Sequence, residues 1–184
     1  MSTLLEMLAG GDLRTVGRSA EVAERVLAQP ESIDELFDGI ASDDTVIRGR
    51  ACDALEKVSA MRPDLVQPYK RELLERVAAI DHWVVRSHVC QILPRLSALT
   101  AAERRSALAR VRGYMEDRSS IVQAVALECL VRLSRASRFD RERREIEALV
   151  ERCVAQGRTP ALRARARGMK KLIARWEREA GAAR

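Results

Sequence analysis

The stretch D-D-T-V-I-R-G-R-A-C-D-A-L-E-K-V, Asp43 to Val58, decides how the rest of the chain is read. Ile47, Ala51, Ala54, Leu55 and Val58 stand at steps 0, 4, 7, 8 and 11, which lays one apolar stripe along a helix of period 3.6. Val85, Val89, Ile92, Leu93 and Leu96 repeat the spacing, and so do Val122, Ala126, Cys129, Leu130 and Leu133. With one change it recurs near both ends. Val16, Ala20, Ala23 and Leu27 fit with Glu24 at step 8, and Leu162, Ala166, Met169 and Ile173 fit with Lys170 there. Asp12, Asp43 and Asp81 each precede the stripe by four residues, and Arg48, Arg86 and Arg163 each follow its first residue.

Working outward, turn and cap signals divide the chain into helix pairs at about 12–42, 43–80, 81–116 and 117–157, followed by a last helix at 159–180. Residues 3–9 form a short apolar leader closed by Gly10-Gly11. The first template helix is expected over roughly 13–29, and Pro30 ends it. Asp43 or Asp44 caps the next. Pro94, between Leu93 and Leu96, must kink its helix or end it early. Thr100-Ala101-Ala102-Glu103 is a capping box, and Thr159-Pro160 is a cap followed by a first-turn proline.

Helix pairs at this period, with the D-x-x-x-(V/I)-R signature and the proline at 94, resemble the HEAT-repeat family, and in particular small bacterial single-domain members without an assigned activity. The likeness runs from about 12 to 176. It implies an all-α fold, a right-handed α-solenoid of about four helix pairs plus a terminal capping helix, in one domain, 1–184. It also implies that Asp43, Arg48, Asp81 and Arg86 form a polar ladder between neighbouring repeats. Gln123 and Arg158 depart from that pattern, so the ladder is expected to weaken toward the C-terminus. Glu24 and Lys170, charged where the inner repeats are apolar, fit the polar outer faces that end repeats need, so the array is expected to be complete as it stands.

Composition narrows the function. No apolar run approaches the 18 residues of a membrane span, and the start lacks a basic region before its apolar patch, so a cytoplasmic protein is expected. The four cysteines form no C-x-x-C pair. Cys52 and Cys90 sit one repeat apart, too distant across stacked helices (about 8–10 Å) for a disulfide. With two histidines, a His/Cys metal cluster is not expected, and no metal or cofactor is assigned. Phosphate loops, zinc-protease motifs and nucleophile elbows are missing, so no catalytic residue is named and no small-molecule substrate is expected. Asp81-His82-Trp83 invites comparison with HEAT-like DNA glycosylases. Those enzymes carry more aromatic residues than the two Trp and two Tyr here, so that reading comes a distant third.

Charge is divided. Residues 1–92 hold 11 Lys+Arg against 16 Asp+Glu, net −5, and residues 93–184 hold 22 against 11, net +11. On the last helix Lys170, Arg163, Arg167, Arg178 and Lys171 fall between about 80° and 180° from Leu162, a single sector beside the apolar stripe. Arg105 and Arg112 add two cations on one side of helix 101–116. These residues are the candidate surface for a polyanion or a partner. The expected function is a non-enzymatic scaffold or adaptor for another protein, with nucleic-acid backbone binding through the basic face as the alternative.

Overall fold

The computed structural model describes residues 3–12, 14–135 and 140–182; for Asp140 it describes the backbone alone. Every regular element among them is helical, and none of these helices is long and apolar enough to cross a membrane. The chain divides into two compact units, 1–99 and 100–184. The charge division follows the same boundary: 12 Lys+Arg against 16 Asp+Glu in the first unit, 21 against 11 in the second.

The first unit is built round α4, Thr45–Met61, which packs against α1 (Leu4–Leu8), α2 (Ser19–Ala28), α3 (Ile33–Ala41), α5 (Pro63–Val66) and α7 (Trp83–Ile92). Asp44 starts α4, its Oδ1 accepting the amides of Val46 at 2.7 Å and Ile47 at 3.2 Å. The template stripe Ala51, Ala54, Leu55 and Val58 is fully buried. So are Gly49, Arg50, Cys52, Asp53 and Ser59, which makes α4 a helix enclosed on nearly all sides. α3 approaches it closely, because a Cβ on Gly39 would stand 2.8 Å from the Ala51 Cβ and 2.8 Å from Leu5 Cδ2. Pro63 opens α5 just after α4 ends, and Pro68 sits in a 3-10 turn before α6, Lys70–Glu75. Pro94 stops α7 at Ile92, with a 3-10 turn over Leu93–Arg95.

The first template helix departs from expectation. α2 starts at Ser19, and Leu13, where it was expected to begin, lies outside the described residues. Its buried residues are Ser19, Val22, Ala23 and Val26, while Val16 is 57% exposed. The buried set Ser19, Val22, Ala23 and Val26 fits steps 4, 7, 8 and 11 of the template one residue earlier than expected. A polar residue, Ser19, opens that set, so apolar periodicity settled on the wrong phase. Gly17, at φ +54°, keeps the helix from extending back through Val16. Ala23, not Glu24, then occupies step 8, and the end-cap reading of Glu24 falls.

The second unit is built round α9, Ser120–Arg135, packed against α8 (Ala101–Gly113), α10 (Asp140–Gln156) and α11 (Pro160–Ala182). Val122, Ala126, Cys129, Leu130 and Leu133 are buried as the template requires, and Ala124, Leu127 and Val131 are buried beside them. Thr100 and Glu103 form the capping box on α8, and Thr159 Oγ1 accepts the Leu162 amide at 3.1 Å to start α11. All four cysteines are buried and none is in a disulfide.

Candidate functional site

Four features carry the polar chemistry of the described residues. The first is a polar cluster inside the first unit. Asp53 and Glu56, three apart on α4, and His88 on α7 bring their ligand-capable atoms within 4.8 Å of one another. Asp53 is 7% exposed. Its Oδ2 accepts from the Ser19 hydroxyl and pairs with Lys57 Nζ. Its Oδ1 lies 3.5 Å from His88 Nε2. Arg95 Nη2 donates to Glu56 Oε1 at 2.6 Å, and Nη1 donates to the Glu56 carbonyl and to Ser59 Oγ. The His88 side chain has no hydrogen-bond partner at Nδ1, which is buried. Burial pushes its basicity below the ordinary imidazole value, against the pull of Asp53 and Glu56.

The second feature is a guanidinium enclosed by main-chain oxygen. Arg50, 5% exposed, donates through Nη1 to the carbonyls of Leu8 at 2.8 Å and Gly10 at 2.6 Å, and through Nη2 to that of Asp12 at 3.0 Å. Thr15 Oγ1 lies 3.3 Å from the same Nη2. Leu8 closes α1, so this arginine satisfies a helix C-terminus that a buried leader could not leave bare. Gly10, Gly11 and Gly17 all have positive φ, and a Cβ on Gly17 would stand 2.7 Å from Arg50 Cζ. The glycines noticed as a leader's end are therefore the close wrap round this side chain.

The third is the residue after the stripe's first position. Arg48 donates to the Ser42 carbonyl at 2.7 Å, Gln123 to the Asp117 carbonyl at 2.7 Å and Arg163 to the Gly157 carbonyl at 2.6 Å. Each is six residues C-terminal to its acceptor, so each ties the start of a template helix to the segment before it. Arg86 instead pairs with the Asp81 carboxylate at 2.8 Å. Asp43 is exposed, and its neighbour Asp44 holds the cap. The expected carboxylate ladder thus gives way in Arg48 to a bond to backbone. Because the acceptor there is a carbonyl, a glutamine serves as well, and Gln123 does not mark a weakening.

The fourth is the basic helix. Lys170 pairs with Glu151 at 2.8 Å, and Arg163 is half-buried on the Gly157 carbonyl. Arg112 pairs with Glu145 at 2.9 Å on a different helix, and Arg105 is exposed. Arg167, Lys171 and Arg178 are exposed and form no ion pair among the described residues. They fall within about 40° of one another on α11 and span about 16 Å. Beside them, α10 and α11 frame two adjoining depressions of about 460 and 430 Å³ that share Glu147, Ile173 and Glu177. The larger also holds Trp176, whose ring lies 4.6 Å from the Arg135 guanidinium. Glu128 joins α9 to α11 through Arg165, with Arg132 at 2.7 Å. Half-burial pulls its carboxyl upward, but Arg132 and Arg165 hold it below the ordinary value.

Asp81 and Trp83 do not build a base pocket between them: Asp81 is committed to Arg86, and Trp83 is 43% exposed. The Asp53–Glu56–His88 cluster and the Arg50 enclosure were missed in the sequence. Their one signal is that Ser19, Arg50, Asp53 and His88 are polar residues on template helices, Ser19 within the buried stripe and the others beside it. No family model, no curated protein and no solved structure matches this chain.

Proposed function

We propose that the chain is a non-catalytic HEAT-like α-solenoid scaffold that binds a protein partner along the α10–α11 groove. The template on α4, α7 and α9 and the recurring six-residue tie support the repeat reading. The observation that carries the partner class is the groove's lining. Its apolar floor, Ile173 and Trp176, is bordered by both signs of charge: Arg143, Arg144 and Lys170 against Glu147, Glu151 and Glu177. A phosphate backbone is repelled by such carboxylates, whereas a protein segment with apolar anchors and mixed charge is matched by them. The test is photo-crosslinking in nuclease-treated native lysate from a crosslinker placed at Ala148, in the groove, and at Ala109, on exposed α8. One discrete protein adduct from position 148 that Ile173→Asp abolishes is expected. Equal adducts from both positions, or none, would overturn the reading.

The ridge of Arg167, Lys171 and Arg178 favours the second reading, binding to a nucleic-acid backbone. Three phosphate contacts predict a slope of about −2.7 for log K against log[salt] on duplex DNA. A labelled duplex that shows no salt-dependent anisotropy change, or one that Arg167→Glu with Lys171→Glu leaves intact, removes it.

A further inference from the structure

We propose that Asp53, Glu56 and His88 form a binding site for one divalent transition-metal ion of the zinc type, clamping α4 to α7 in the first unit. A tetrahedral ion with nitrogen and oxygen donors at about 2.1 Å holds those donors about 3.4 Å apart. His88 Nε2 and Asp53 Oδ1 stand at 3.5 Å, a long distance for a hydrogen bond but close to that tetrahedral edge. The full set lies within 4.8 Å, so side-chain movement of about an ångström closes it on an ion.

The surroundings favour the same assignment. Ser19 and Lys57 hold Oδ2 of Asp53, and Arg95 holds Oε1 of Glu56, which leaves a second oxygen on each carboxylate. Metal-bound carboxylates are oriented by such outer hydrogen bonds. His88 Nδ1 is buried without a hydrogen-bond partner and Nε2 has only the Asp53 carboxylate at 3.5 Å, so the half-buried imidazole is under-satisfied. One imidazole with two carboxylates suits zinc, cobalt or nickel; calcium and magnesium take oxygen donors instead. Water would complete the coordination, as Glu56 and His88 are each only half-buried. Lys57 and Arg95 already balance both carboxylates, so the ion brings surplus positive charge. Lys57, with a side chain 34% exposed, is the group that can swing out.

That electrostatic competition separates a built site from chance adsorption. The full-length metal-free protein is titrated with Co²⁺, read by its visible d–d absorption, and then with Zn²⁺ in competition. One equivalent of Co²⁺ is expected with a four- or five-coordinate spectrum that Zn²⁺ erases. His88→Gln and Glu56→Gln each weaken it by about tenfold or more. Lys57→Met, compared as protein whose helical circular dichroism matches wild type, tightens it by about tenfold or more. A structural role in an ordinary polar network does not produce this tightening. No saturable uptake below about millimolar Co²⁺ by the wild type would overturn the proposal. So would uptake that Lys57→Met leaves unchanged, or uptake that persists undiminished in a His88→Gln protein whose helical circular dichroism matches wild type.

Discussion

Replacing Arg50 with alanine should release the leader from the first unit. The guanidinium makes three bonds of 3.0 Å or less, to the carbonyls of Leu8, Gly10 and Asp12. A hydrogen bond to a charged group contributes about 1.5–3 kcal/mol when its partner is left buried and bare. Residues 10–12 and 14–18 are exposed, so water can reach most of the vacated carbonyls, and about 1 kcal/mol per bond is the better figure. The loss is then about 3 kcal/mol, roughly a hundredfold in the opening equilibrium. It should be local, because Leu4, Met7 and Leu8 are the only buried apolar residues of α1 and the loop after it buries none among its described residues. Hydrogen exchange of backbone amides is the assay. Amides of residues 5–9 should exchange roughly a hundredfold faster in Arg50→Ala, while those of α7 keep wild-type protection. Arg50→Lys should fall between, since an ammonium cannot reproduce the planar fork that reaches several carbonyls together. Unchanged protection of the leader, or a loss spread evenly over the unit, would refute the view that one side chain holds it.

Three further outcomes follow from single contacts. Ala126, fully buried on α9, should cost several kcal/mol as Ala126→Glu, seen as a large fall in the urea midpoint of the second unit. Gln123→Ala should cost about 1 kcal/mol through the lost bond to the Asp117 carbonyl. Gln123→Arg should match or exceed wild type, because it keeps a donor and removes Oε1, a buried acceptor with no partner. The Glu128 carboxyl is depressed in the folded state, so its contribution is present above pH 4.5, the ordinary value, and lost as pH falls through the lower folded value. Glu128→Gln should therefore be less stable at neutral pH and lose less of its remaining stability on acidification. Trp176 fluorescence in a Trp83→Phe background reports on the second unit; parallel acid profiles for the two proteins would contradict the assignment.

Where the interior is apolar, it could be read from spacing alone. α4 buries Ala51, Ala54, Leu55 and Val58 and leaves Ile47 half-buried, the segment 85–96 buries all five of its template residues, and so does α9. The capping box at Thr100 and the stop at Pro94 follow from side chains that act within a few residues of themselves. Reading failed where the interior is polar. Ser19 occupies a fully buried template position that faces Asp53, and an apolar count skips it. α4 is enclosed on more than one side, whereas periodicity locates only the apolar one. Arg50 and Asp53 therefore read as surface charges until their neighbours are known.

The basic helix shows the complementary limit. A helical wheel puts Arg163, Lys170, Arg167, Lys171 and Arg178 in one sector, and that placement depends on α11 alone. Whether a cation is available depends on what lies across from it. Glu151 on α10 takes Lys170, and the carbonyl of Gly157, which precedes α11, takes Arg163. Gly157 is itself constrained, since a Cβ there would stand 2.5 Å from the Cys153 carbonyl. What survives is a row of three cations with no ion pair among the described residues, beside a groove whose α10 wall carries both signs, Arg144 with Glu147 and a Glu151 already paired to Lys170. A partner seated on ridge and groove together would carry acidic groups toward Arg167, Lys171 and Arg178 and a basic one toward Glu147. A protein segment with mixed charge complements ridge and groove together, whereas a phosphate backbone, with one sign of charge, complements the ridge alone.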